Sequence, residues 1–168
     1  MFGLSRLRAV EIGVALLLTL AALLIGFRVL AEERGIRVSD AWARPTAGQS
    51  TTSAAYMTIA NQGEGSDVLT AARTPKAKAI ELHQTTMTAE GVMQMRQIKD
   101  GLPIEAGKTI ELKPGGIHFM LLGLDGGLNA GETLRLNLEF AKAGAVEVAV
   151  PVSVDAPAEQ DGAGHAHH

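Results

Sequence analysis

Strict two-residue alternation is the feature that most constrains this chain. Along Thr133–Phe140, Leu134, Leu136, Leu138 and Phe140 are separated by polar residues. Along Ala145–Val154, Val146, Val148, Val150, Val152 and Val154 occupy every second position. Successive side chains of a strand point to opposite faces, so this pattern buries one face and leaves the other to water. Shorter apolar runs at Ile36–Arg44, Ala54–Ala60, Val68–Ala72, Ala79–Gln84, Val92–Ile98, Thr109–Leu112 and Ile117–Leu124 predict further strands. Turn residues separate them: Asn61-Gln62-Gly63-Glu64-Gly65, Lys113-Pro114-Gly115-Gly116 and Asp125-Gly126-Gly127. Many short strands punctuated in this way predict an all-β sandwich or barrel. No helical pattern follows the N-terminal segment, and no internal repeat is present.

That N-terminal segment is different in kind. Arg6 and Arg8 precede the uncharged run Ile12–Phe27, flanked by Glu11 and Arg28. The run is shorter than the roughly 20 apolar residues of a typical spanning helix and suits a signal-peptide core or short anchor. Val29-Leu30-Ala31 offers small residues for cleavage. We therefore read 1–31 as a signal peptide or N-terminal membrane anchor, 36–154 as the β domain, and 155–168 as a polar, disordered tail ending His165-Ala166-His167-His168. Either fate of the leader puts the domain outside the cytoplasm, with contact to a membrane only through an uncleaved leader. Losing three arginines and one glutamate with the leader moves the formal charge from -3 to -5. With no lysine or arginine run, nucleic-acid binding is set aside.

The sequence contains no cysteine. Disulfides, thiolate metal sites, thiol catalysis and a blue-copper centre are thereby excluded. Any soft-metal chemistry must use thioethers. In His118-Phe119-Met120, alternation puts His118 and Met120 on one face and sends Phe119 to the other, toward the core. The plainer reading makes Met120 core and His118 a surface histidine. Met93-Gln94-Met95 alternates in the same way, and two such methionines are ordinarily core filler. His83 ends an apolar strand. Together these residues say more: of six methionines, Met87, Met93, Met95 and Met120 fall in the stretch that holds His83 and His118. Cu(I) is soft and takes thioether and imidazole donors, whereas zinc prefers Cys, His or carboxylate and calcium needs oxygen. An exported, cysteine-free His/Met set points to copper, bound as Cu(I). The tail histidines are either a flexible extra site for Cu(II) or zinc or an ordinary polar end.

The stretch His83 to Met120 resembles the signature of the PCu(A)C-type periplasmic copper chaperones, a His, a later Met, a longer gap and a closing His-x-Met. The chain supplies His83, Met95, His118 and Met120 in that order. Ala54-Ala55-Tyr56-Met57-Thr58-Ile59-Ala60-Asn61, Gly91-Val92-Met93-Gln94-Met95-Arg96 and Leu112-Lys113-Pro114-Gly115-Gly116-Ile117-His118-Phe119-Met120-Leu121 also resemble the family, so the likeness covers Ile36 to Val154. It implies a cupredoxin-like Greek-key β-sandwich that binds Cu(I) near its surface through those four residues. It also implies delivery to a copper-accepting protein, such as cytochrome c oxidase subunit II during CuA assembly, or to a thiol-bearing assembly factor. Two departures stand out. Gln84 occupies a position where many members carry a second Met, and the gap from Met95 to His118 is slightly long. These leave Met93 and Met87 as alternative donors.

Two other classes compete with a copper carrier. One is a copper-dependent redox enzyme, although Gly-x-Ser-x-Gly, His-Glu-x-x-His and a phosphate-cradling glycine loop are all missing, and two thioethers favour Cu(I) over redox cycling. The other is an exported β-sandwich that recognises partners through its edges and holds no metal.

Overall fold

The computed structural model describes residues 35–156. The predicted leader 1–31 and the histidines of the C-terminal tail lie outside them. The described residues form ten strands and no helix: β1 (Ile36–Ala43), β2 (Thr52–Asn61), β3 (Asp67–Arg73), β4 (Ala77–Met87), β5 (Met93–Gln97), β6 (Leu102–Ile104), β7 (Thr109–Leu112), β8 (Ile117–Leu124), β9 (Thr133–Phe140) and β10 (Gly144–Pro151). One sheet runs β1-β2-β8-β4-β5, with β7 also pairing β2. The other runs β10-β9-β3-β6. All named pairs are antiparallel, and many neighbours are distant in sequence, as in the Greek-key sandwich predicted.

The core follows from alternation. Leu134, Leu136, Leu138 and Phe140 of β9 and Val148, Val150 and Val152 near β10 meet Ala55, Met57, Ile59, Phe119 and Leu121 of the facing sheet. Each fully buried Leu or Phe contributes about 1.5–3 kcal/mol relative to exposure. The alternation overreaches only at Val154, which lies past the end of β10 and is exposed.

Strand β6 was not predicted. Pro103 sits in its middle and would break a central ladder, but β6 lies at the edge of its sheet, where a missing N–H is tolerated. Beside it, Gly101 has φ +79°, and a Cβ there would fall 2.8 Å from both the Leu69 carbonyl oxygen and Val68 Cγ1. Gly101→Ala should therefore destabilise the domain by about 2 kcal/mol, from backbone strain and overlap together. Urea unfolding of this variant checks the size of the loss.

A β-bulge in β1 changes which side chains reach the outer face of the larger sheet. The register with β2 shifts between Ser39 and Trp42, and Asp40 adopts φ 53°, a left-handed conformation that Asp tolerates. Before the bulge Val38 pairs with core-facing Ile59. After it, Ala43 pairs with buried Ala55 and Trp42 pairs with Tyr56. One extra residue thus moves Trp42 to the outer face of the larger sheet.

Candidate metal centre

Three adjacent strands of the larger sheet, β8, β4 and β5, build the site. His83 on β4 pairs directly with His118 on β8, and Glu81 pairs with Met120. On the other side of β4, Thr85 pairs with Met95 of β5 and Met87 pairs with Met93. Directly paired residues share a face and diagonal neighbours lie within reach of long side chains. The register therefore brings His83, Met95, His118 and Met120 to one outer face, with His83 at the centre, His118 opposite it, and Met120 and Met95 diagonal on either side. The two imidazole centroids are 6.0 Å apart. Phe119 between His118 and Met120 is buried, as alternation predicts.

Local structure fixes the His118 ring. Lys113-Pro114-Gly115-Gly116 forms a turn closed by the Gly116 N–H donating to the Lys113 carbonyl at 3.0 Å, with Gly115 at φ 76°. Pro presets the second position and Gly supplies the positive φ of the third, as a type II turn requires. The Gly116 carbonyl then accepts from the Thr85 N–H and from His118 Nδ1, both at 3.1 Å. A proton held on Nδ1 leaves Nε2 with its lone pair free, the state in which imidazole binds a metal. His118 is otherwise buried.

His83 is held differently. Its Nε2 lies 2.8 Å from Glu81 Oε2. With the proton on Nε2 and donated to that carboxylate, Nδ1 carries the lone pair. Nδ1 is buried and has no hydrogen-bond partner. A buried nitrogen without a partner costs free energy that coordination of a cation would recover. Each histidine thus offers one bare nitrogen, and its other nitrogen is held by an oxygen. Among the described residues no three His, Asp or Glu side chains gather as a hard-donor site. On the same face, the side chains diagonal to His83 are the thioethers of Met95 and Met120.

The methionines are not the core filler that alternation alone allows. Met57 fills the core, whereas Met93 and Met95 are each 53% exposed and Met87 is 68% exposed. Strand β4 continues past the predicted end at Gln84 to Met87, and with β5 it forms a hairpin carrying these side chains outward.

Four residues at the site escaped the sequence reading. Glu81 precedes His83 by two positions and so shares its face, a signal that alternation does contain. Tyr56, Trp42 and Arg44 come from β2 and the end of β1. The Tyr56 ring centroid lies 4.6 Å from Trp42 and 6.3 Å from His118, and Arg44 Cζ lies 5.9 Å from Tyr56. Burial raises the Tyr56 pKa, which the nearby Arg44 only partly offsets, so its phenol stays neutral. This wall shields one side of His118 from water, while Met95 stays open on the other.

Residues 36–152 match the LpqE-like family. Lxx21020 of Leifsonia xyli subsp. xyli, named as a lipoprotein, is 39% identical over 118 residues, which are 70% of this chain and 69% of that one. Two solved structures share the fold. The copper-bound PCuAC domain from PmoF2 has a TM-score of 0.60 at 21% identity, over 71% of this chain and 93% of that one. CuI-DR1885 from Deinococcus radiodurans has a TM-score of 0.56 at 30% identity, over 70% of this chain and 77% of that one.

Proposed function

Because this chain belongs to the LpqE-like family of PCu(A)C-type domains, we propose that it is a copper carrier, holding one Cu(I) through His83, Met95, His118 and Met120 and passing it to another protein. The observation that carries this reading is the register that surrounds His83 with His118, Met120 and Met95 while its buried Nδ1 has no partner. The copper is cargo, and no reaction is performed on it.

The donor set suits that task. Two imidazoles and two thioethers are neutral and match a soft monovalent ion. The remaining positive charge faces the Glu81 carboxylate, which already holds His83. Met95 is the natural leaving donor, because it is exposed and sits on β5, the edge strand of its sheet. A thiolate of an acceptor can replace it there without disturbing the buried His118. The acceptor is a protein such as cytochrome c oxidase subunit II, during CuA assembly, or a thiol-bearing assembly factor.

The carrier works outside the cytoplasm, in the periplasm where there is one, taken there by the run Ile12–Phe27. Relatives named as lipoproteins support a membrane-associated setting. This sequence has no cysteine to carry a thioether-linked lipid, so any anchorage within these residues falls to the apolar run.

X-ray absorption of the Cu(I)-loaded chain tests the reading. Both sulfur and nitrogen neighbours should surround the copper, and zinc in competition should fail to displace it. A shell of nitrogen and oxygen alone, or equal zinc occupancy, would remove the thioethers from the site.

A further inference from the structure

The hairpin of β4 and β5 carries more sulfur than one four-donor site needs. Among the described residues five large apolar side chains are exposed, and four of them, Met87, Val92, Met93 and Met95, lie on this hairpin. Met87 and Met93 are direct cross-strand partners, so their Cβ atoms stand about 4.5–5.5 Å apart on one face. Their exposure earns nothing from core packing, and strands do not select Met for its own sake, favouring β-branched and aromatic residues instead. What distinguishes Met from those alternatives is a polarizable sulfur.

We propose that Met87 and Met93 form a second, weaker Cu(I) site, a two-thioether landing point on the face that carries the four donors. The inference rests on the reading of His83, Met95, His118 and Met120 as the carrying site. The pair closes the hairpin, where Thr88 N–H donates to the Val92 carbonyl at 2.9 Å. Met95 follows Met93 by two residues on the same face. Between Met87 and His83 on β4 stands only Thr85, a short side chain paired with Met95. An ion held by the pair therefore has Met95 as its next donor and His83 beyond it. Transfer is ligand exchange: one copper–sulfur bond to the pair breaks as one to Met95 forms, and the imidazoles complete the set. No electron moves and copper stays Cu(I). The direction is set by donor count, because two thioethers give way to two thioethers and two imidazoles.

The test uses the full chain with ¹³C-labelled methionine methyls, titrated anaerobically with Cu(I) as its acetonitrile complex. The first equivalent should move the Met95 and Met120 methyl resonances, and a second should move Met87 and Met93, with core Met57 as the fixed reference. The double variant Met87→Leu, Met93→Leu should keep the affinity for the first equivalent but take Cu(I) from a coloured chelator several-fold more slowly. Methyls of Met87 and Met93 that stay still through both equivalents, with uptake at the wild-type rate, would overturn the proposal. So would loss of the first equivalent in the double variant, which would put the pair inside the carrying site. Movement of Met87 and Met93 without Met95 and Met120 would instead uphold the pair and defeat the four-donor reading.

Discussion

Met120→Leu should lower Cu(I) affinity by at least roughly 10- to 100-fold, since even removing a hydrogen-bond partner of a metal ligand commonly costs that much. The apo protein should melt almost where the wild type does. Leucine matches methionine in volume and polarity, and such swaps usually cost under about 1.5 kcal/mol even in a core. Met120 is only half-buried, on the outer face opposite Glu81. What leucine lacks is a lone pair. Met93→Leu is the matched control, because it removes a thioether on the same sheet face that belongs to the proposed landing pair and not to the carrying set. Competition against a Cu(I) chelator should separate the two variants clearly. Wild-type affinity in both would return Met120 to ordinary packing.

The alternation and turn chemistry were enough to place much of the fold. Strands β7, β8 and β9 have the bounds that the sequence predicts: Lys113-Pro114-Gly115-Gly116 divides β7 from β8, Asp125-Gly126-Gly127 follows β8, and the alternation of β9 runs unbroken from Leu134 to Phe140. The failures have specific physical causes. β6 was hidden by Pro103, which only an edge position accommodates. β4 was cut short because Thr85 and Thr86 are polar on both faces, as suits a strand that leaves the core and runs out into a hairpin. In β1 the apolar positions Ile36, Val38, Ala41 and Trp42 break alternation at the bulge around Asp40.

The candidate site's shared face was legible in part for the same reason. His118 and Met120 sit two apart, so their common face is a local property. His83 and Met95 join them only through the pairing of β4 with β8 and β5, and register between strands distant in sequence is not written in alternation. The family resemblance supplied that grouping. Tyr56 and Trp42 needed both the β2–β8 pairing and the bulge, so no local pattern pointed to them. The exposure of Met93 and Met95 could not be read either, because a methionine pair with period two fits a core strand equally well.

Asp67→Ala should unfold the domain far more readily while leaving copper binding at neutral pH intact. Asp67 begins β3 in the smaller sheet, away from the donor face, and is buried. Burial alone would raise its pKa. Three backbone donors outweigh that: the N–H groups of Val68 at 2.7 Å and Lys142 at 2.9 Å reach Oδ1, and that of Ala143 at 2.8 Å reaches Oδ2. With the Lys142 charge nearby, they hold the carboxyl below its ordinary value. The carboxylate thus clamps the turn between β9 and β10 to the start of β3. Removing it strands three donors and should cost about 3 kcal/mol, since hydrogen bonds to charged groups are worth roughly 1.5–3 kcal/mol each and water recovers part of the loss. In a domain of this size that lowers Tm by roughly 10 °C. The pH dependence carries the signature. A depressed folded pKa means that the stabilisation is present above the unfolded value of about 4 and disappears as pH falls through the folded value. Wild-type stability should therefore decline on acidification through and below about pH 4, and the gap between wild type and Asp67→Ala should narrow over the same range. Thermal melts of the two proteins across that range decide it. A gap that stays constant with pH would show that the loss is one of packing and that the charge of Asp67 plays no part.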